Sequence, residues 1–150
     1  MSILFICMGN TCRSCMAESI FNKLNMLDNI AYSAGLSISP NSTTSLNADL
    51  VLKSAMNIDI KDRKAVQLTN KNVEEADLIL TMTKYMNDIL SMNFPASKGK
   101  VYTLNEYVGI QGDIVDPYGR DIVTYSETLQ VIKNSIVLLF GKLKEDICII

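Results

Sequence analysis

The residues best suited to chemistry form one unbroken stretch, Cys7-Met8-Gly9-Asn10-Thr11-Cys12-Arg13-Ser14, directly after the apolar run Ile3-Leu4-Phe5-Ile6 and directly before a helical pattern. A strand that ends in a thiol, turns through Gly and Asn, and enters a helix beside an Arg has the parts of an oxyanion-binding loop. Amides at a helix start lack intrahelical acceptors and carry the positive end of the macrodipole, so a loop curled over that end rings an anion with donors. Gly9 and Asn10 tolerate backbone angles closed to most residues, which lets successive amides turn inward. Arg13 adds a planar fork of donors matched to two oxygens of a tetrahedral anion. The groups expected to hold a phosphate are therefore those of Met8, Gly9, Asn10, Thr11, Cys12 and Ser14, together with Arg13.

The same donors stabilise a thiolate. A thiol near a helix N-terminus and a guanidinium ionises below its free value of roughly 8.5, which makes Cys7 the expected nucleophile. Ser14 is placed to give its hydroxyl to the Cys7 sulfur. The chain has no histidine, which excludes Cys–His and Ser–His pairs, His-containing zinc sites and imidazole acid–base chemistry. A proton donor must then be a carboxylate or, less readily, a Lys, Tyr or Cys, and Asp116 is the best candidate. It lies in a long segment rich in Gly and Asp, and Pro117 biases it toward an extended backbone that fixes its direction. Asp-Pro-x-Gly is also an ordinary turn sequence. Asp113 and Asp121 compete with Asp116 on spacing alone.

The rest of the chain must build a scaffold for this loop. Its 150 residues, 48% of them hydrophobic, are expected to make one domain with a sizeable core. A well-mixed net charge of −2 gives no basic stripe for nucleic acid and no polybasic segment for a membrane. The leading apolar run is too short for a signal peptide and no long apolar span follows, so a soluble cytoplasmic protein is expected. The terminal Cys148-Ile149-Ile150 is one residue short of a prenylation box. Four cysteines in a cytosolic chain read as thiols. Cys7, Cys12, Cys15 and the distant Cys148 also match an iron–sulfur ligand spacing, but an Arg embedded in a strand–loop–helix context suits an anion better.

The hydrophobic pattern predicts a helix over 14–26 with Ala17, Ile20, Phe21 and Leu24 on its inner face. A short strand over 30–33 leads into Ser33-Ala34-Gly35, and the Ser-, Thr- and Asn-rich 37–45 reads as loop. A second helix spans 46–57 with a stripe of Val51, Leu52, Ala55 and Met56. Residues 59–69 show no period, and Lys61-Asp62-Arg63-Lys64 reads as a solvated loop ahead of the alternative, a rim for a site that takes an acidic ligand. A buried strand over 77–82 precedes a helix capped by Thr83 and carrying Met86, Ile89 and Leu90. A fourth strand follows over 100–104. The last helix is expected to begin near Thr124, with Thr124 and Glu127 as a capping box, and to run to about 145 with Leu129, Ile132, Ile136, Phe140 and Leu143 inward. Strands alternating with helices imply a parallel sheet covered on both faces, with ligands bound beyond the carboxyl ends of its strands, where the loop after Ile6 lies.

Cys-x5-Arg-Ser near the start, Ser33-Ala34-Gly35, Ala76-Asp77-Leu78-Ile79-Leu80 and the late Asp116-Pro117 resemble the low-molecular-weight protein tyrosine phosphatases along nearly the full length. Within that family the likeness is closer to the bacterial protein arginine phosphatases. It rests on Thr11 in the loop, Met82-Thr83, Lys100-Val101-Tyr102-Thr103-Leu104-Asn105-Glu106-Tyr107-Val108, and Gly119 after Asp-Pro-Tyr. Tyrosine-specific members usually place a larger aliphatic residue where Thr11 stands and often an aromatic where Gly119 stands.

The resemblance implies an α/β three-layer sandwich: a central four-stranded parallel sheet in the order 2-1-3-4, helices on both faces, and a single domain over 1–150. It implies a monomer that acts on phosphorylated protein substrates without metal or cofactor, in two displacements. Cys7 attacks phosphorus while the loop amides and Arg13 hold the equatorial oxygens, and Asp116 protonates the leaving group and later activates water. The Thr11 hydroxyl can accept a hydrogen bond from a guanidinium, and Tyr118 would line the mouth and stack on it. Phosphoarginine is the expected substrate and phosphotyrosine the alternative. One departure is clear, since the family usually has Pro after the loop Ser and Cys15 stands there. Cys12 is close enough in sequence for a reversible disulfide with Cys7, and Cys15 competes for the same partner. A silent phosphate-binding module would have no use for Cys7, Arg13 and Asp116 together.

Overall fold

Ile3, Leu4, Phe5 and Ile6 carry no polar alternation, as suits a strand covered on both faces. In the computed structural model, which describes residues 1–148, they lie in β1 (Ser2–Cys7) and are all buried. Ile149 and Ile150, part of the tripeptide read as an incomplete prenylation box, lie outside the described residues. The remaining elements follow in order: α1 (Arg13–Leu24), β2 (Ile30–Gly35), α2 (Leu46–Met56), α3 (Asn70–Glu75), β3 (Leu78–Thr81), α4 (Lys84–Asn93), β4 (Val101–Thr103), α5 (Leu104–Tyr107) and α6 (Ile122–Cys148). β1 pairs in parallel with β2 on one side and β3 on the other, and β4 pairs with β3, giving the expected order β2-β1-β3-β4.

The period of two along β1 divides its side chains between two cores. Ile3, Phe5 and Cys7 face a cluster built with α1, α2 and α6, whereas Leu4 and Ile6 face Val73 of α3 and Leu90 of α4. Phe21 links the layers on the first face, its ring 6.0 Å from Phe5 and stacked 4.7 Å from Phe140. Because Cys7 falls on the α1 side, its sulfur points toward the start of α1. Among the described residues no helix is long and apolar enough to cross a membrane.

Four expectations are corrected. Helix α6 starts at Ile122, and its cap is Asp121, whose Oδ1 accepts from Thr124 N at 2.9 Å and Thr124 Oγ1 at 2.8 Å. Thr124 thus spends its hydroxyl on Asp121 and forms no box with Glu127; a carboxylate is the better partner for the positive helix end. Ala55 is exposed, and the inner face of α2 is Ala48, Val51 and Leu52. Helices α3 and α5 are too short to show a period, and their signals are the capping boxes Thr69–Asn72 and Thr103–Glu106.

The fourth correction matters most for the site. Residues 59–69 are a strap: Lys61, Asp62 and Lys64 are exposed as expected of a solvated loop, but Arg63 is not. Gly35 N donates to Val66 O at 2.8 Å and Leu68 N to Gly35 O at 2.9 Å. Thr44 N donates to Arg63 O and Ala65 N to Ser42 O, both at 2.9 Å. The strap therefore extends the edge of the sheet and backs the loop over 36–45.

Candidate active site

The sulfur of Cys7 lies 2.8 Å from Ser14 Oγ and accepts from Asn10 N at 3.2 Å. Asn10 Nδ2 donates to Ser14 Oγ at 2.8 Å, which leaves the serine proton free to point at the sulfur. Asn10 holds φ 56°, the left-handed turn expected of it. Gly9 is a correction, because it does not adopt positive φ and a Cβ there would meet only Thr11 Oγ1, at 3.9 Å. The glycine that the loop requires is Gly35 of β2. A Cβ there would stand 2.7 Å from Met8 O and 3.1 Å from Asn10 N. In the loop only the Asn10 amide has a partner, so those of Met8, Gly9, Thr11, Cys12, Arg13 and Ser14 have no acceptor among the described residues. Free amides over a helix start are an anion's natural partners.

Arg63, read from sequence as part of a solvated run, reaches under the loop instead. Its Nη1 donates to Asn10 Oδ1 at 3.1 Å, and its Nη2 to Glu18 Oε2 and Ser33 Oγ, each at 2.8 Å. Ser33 also donates to Glu18 and accepts from Asn10 Nδ2 at 2.9 Å. A chain of bonds thus runs from Arg63 through Asn10 and Ser14 to Cys7. Sequence reasoning missed Arg63 and Glu18, and the only signal was an Arg among polar residues with no period.

Arg13 is buried, its Nη1 donating to Ile114 O at 2.8 Å and its Nη2 lying 3.4 Å from Asp116 Oδ2. Asp116, its side chain 53% exposed, is tethered at Oδ1 by Tyr118 N at 3.0 Å, so Oδ2 is the oxygen turned to Arg13. The two competing carboxylates are occupied elsewhere, Asp113 by Lys84 N and Asp121 by the α6 cap. Cys7, Arg13 and Asp116 meet in a cleft of about 470 Å³ lined also by Met8, Gly9, Thr11, Cys12, Tyr118 and hydroxyl residues of the loop over 36–45. Tyr118 is highly exposed at this cleft. Asn10 and Ser14 are fully buried and act from behind the loop.

The other thiols near the loop have hydrogen-bond partners of their own. Cys12 donates to Ser45 Oγ at 3.3 Å, so the Tyr125 hydroxyl, 3.2 Å from the same sulfur, is the donor in that contact. Burial, with this hydrogen bond, pushes the Tyr125 phenol up to about 12. Cys15 is fully buried and donates to Cys12 O at 3.1 Å, and burial pushes its thiol well above the ordinary range. Among the described residues no three His, Cys, Asp or Glu side chains converge as metal ligands, so the iron–sulfur spacing has no counterpart in the fold.

Comparison with known proteins agrees with this geometry. The family model for low molecular weight phosphotyrosine protein phosphatase matches residues 2–148. The chain is 34% identical to a protein-arginine-phosphatase of Bacillus subtilis, over 97% of this chain and 99% of that one. It is 37% identical to the low molecular weight protein-tyrosine-phosphatase PtpB of Staphylococcus haemolyticus, again over 97% and 99%. Among solved structures it superposes on a cysteine-to-serine mutant of the YwlE arginine phosphatase with a phosphorylated active site serine. The TM-score is 0.92 at 36% identity, over 97% of each chain. With its thiol, guanidinium and carboxylate gathered at the carboxyl end of a parallel sheet, the chain belongs to the low-molecular-weight phosphotyrosine protein phosphatases, cysteine-based hydrolases of phosphorylated proteins.

Proposed function

We propose that the chain hydrolyses phosphoarginine residues of proteins through a cysteinyl-phosphate on Cys7. The Cys7 thiolate attacks phosphorus and a P–S bond forms as the P–N bond breaks. The electron pair leaves on the guanidino nitrogen, which takes a proton from Asp116 Oδ2. The amides of 8–14 and the Arg13 fork hold the equatorial oxygens, on which charge is spread. In the second half Asp116 accepts a proton from water, the water oxygen bonds to phosphorus, and the sulfur leaves as a thiolate. Ser14 lowers the cost of that leaving group by donating to it at 2.8 Å. The YwlE mutant, with its phosphorylated active site serine in place of cysteine, supports this assignment of the nucleophile.

The observation that carries the preference for phosphoarginine is Thr11, which lines the cleft beside Cys7 and Arg13 and offers a hydroxyl where an aliphatic side chain would offer only an apolar wall. Phosphotyrosine is the second reading, favoured by Tyr118, an exposed aromatic on the same cleft able to stack on a phenyl ring. The test is kcat/KM on phosphoarginine and phosphotyrosine peptides side by side, with Thr11→Ile as companion. The wild type is expected to favour phosphoarginine and the variant to move toward phosphotyrosine. A wild type that favours phosphotyrosine overturns the reading.

A further inference from the structure

Two buried side-chain polar atoms among the described residues lack a hydrogen-bond partner, and one of them, Ser42 Oγ, belongs to a residue lining the Cys7–Arg13–Asp116 cleft. A buried hydroxyl without a partner opposes folding, and native chains keep few of them. The segment around it is not slack. Ser42 O accepts from Ala65 N at 2.9 Å, Ser42 N donates to Ser39 O at 3.1 Å, and Thr44 N donates to Arg63 O at 2.9 Å. The strap and the turn thus fix the backbone on both sides of Ser42, and rotation about χ1 alone decides where the hydroxyl points. Ser42 Oγ is closed off in its present position, and a χ1 rotation that turns it onto the cleft wall, with both acceptor positions unspent, would suit it to receive an N–H from whatever enters the cleft.

We propose that Ser42 is a specificity-determining residue whose Oγ accepts a hydrogen bond from an N–H of the leaving group, favouring a guanidino group over a phenol. This rests on the phosphoarginine reading. A phosphorylated guanidinium keeps N–H donors on the nitrogens that do not carry phosphorus, whereas a phenyl ring presents only C–H edges to the same wall. The hydroxyl is then satisfied by one substrate and left unpaired by the other, which is how a polar group discriminates most strongly. Ser42 takes no part in bond making. It acts on how the leaving group is held, so its effect belongs to the substrate and not to the thiol.

The experiment measures kcat/KM for a phosphoarginine peptide and a phosphotyrosine peptide of matching sequence, with wild type, Ser42→Ala and Ser42→Thr, and records each thermal midpoint. Ser42→Ala is expected to lower kcat/KM for phosphoarginine about five- to tenfold, the effect of one neutral hydrogen bond, and to leave phosphotyrosine nearly unchanged. Ser42→Thr restores the phosphoarginine rate. The thermal midpoint of Ser42→Ala stays level or rises, because the substitution removes an unpaired buried group. An unchanged substrate ratio in an enzyme that favours phosphoarginine overturns this inference alone. Equal losses on both substrates with a lowered midpoint do the same, by making Ser42 structural. A wild type that favours phosphotyrosine overturns the underlying reading and this inference with it.

Discussion

Asn10 keeps its left-handed backbone because its side-chain amide is satisfied at both ends, giving to Ser14 and Ser33 and accepting from Arg63 and from Val66 N. Through it a cation far along the chain holds the surroundings of the Cys7 sulfur. Arg63→Met removes the fork to Asn10, Ser33 and Glu18 and leaves Glu18 half-buried without its cation. Stability is expected to fall by about 1–3 kcal/mol in urea unfolding. Turnover is expected to fall as the loop loosens. Arg63→Lys restores a charge for Glu18 but not the planar fork, so it recovers stability more than turnover. A variant with wild-type turnover would show that the bond chain does not reach Cys7. Cys7, Arg13 and Ser14 were legible in the sequence because the loop that joins them is continuous. Asp116 was legible only as one of three carboxylates, and its tether to Tyr118 N with Oδ2 turned to Arg13 separates it from the other two. Arg63 was not legible, since its partners Asn10 and Glu18 lie 53 and 45 positions away and a charged run ordinarily faces water.

Among the elements, β2 shapes the site without contributing to its chemistry. Its last residue, Gly35, lies against the loop, with Leu36 N bonded to Cys7 O and Ser37 N to Met8 O, both at 3.0 Å. Gly35→Ala would set a methyl 2.7 Å from Met8 O, a backbone atom that cannot rotate away. The loop must shift, so turnover is expected to drop and stability to fall by about 1–3 kcal/mol, read from steady-state rates and urea midpoints. Wild-type values for both would mean that the loop does not depend on this close approach. The strands and long helices were readable because burial imposes period two on a half-buried strand and period 3.6 on an amphipathic helix. What escaped was set by partners rather than by pattern: the short α3 and α5, the shift of the α6 cap to Asp121, and the strap over 59–69. The strap owes its shape to main-chain bonds with Gly35, Ser42 and Thr44, and main-chain bonds leave no trace in side-chain periodicity.

At the scale of the molecule, two cores clamp β1 from both faces, and the thiol at its carboxyl end inherits that rigidity. The long helix α6 also reaches the loop directly, through Tyr125 on Cys12. Because burial holds the Tyr125 phenol at about 12, above its ordinary value of 10.0, the folded state keeps a proton that the unfolded state gives up first. The stabilisation from this group is therefore complete below 10 and lost as pH rises from 10 toward 12. Tyr125→Phe should shrink the alkaline decline in a series of urea midpoints, to which the buried Cys15 thiol also contributes, and an identical decline in the variant would assign it to other groups. The whole account stands on Cys7 carrying the phosphoryl group during turnover. The most direct measurement uses Asp116→Asn with an aryl phosphate whose leaving group needs no proton, quenched in acid and mapped by peptide mass. With the first displacement spared and the second slowed, a phosphoryl group is expected on the peptide bearing Cys7, absent from Cys7→Ala. Turnover that continues in Cys7→Ala, or a phosphoryl group carried by any other position, would contradict the account.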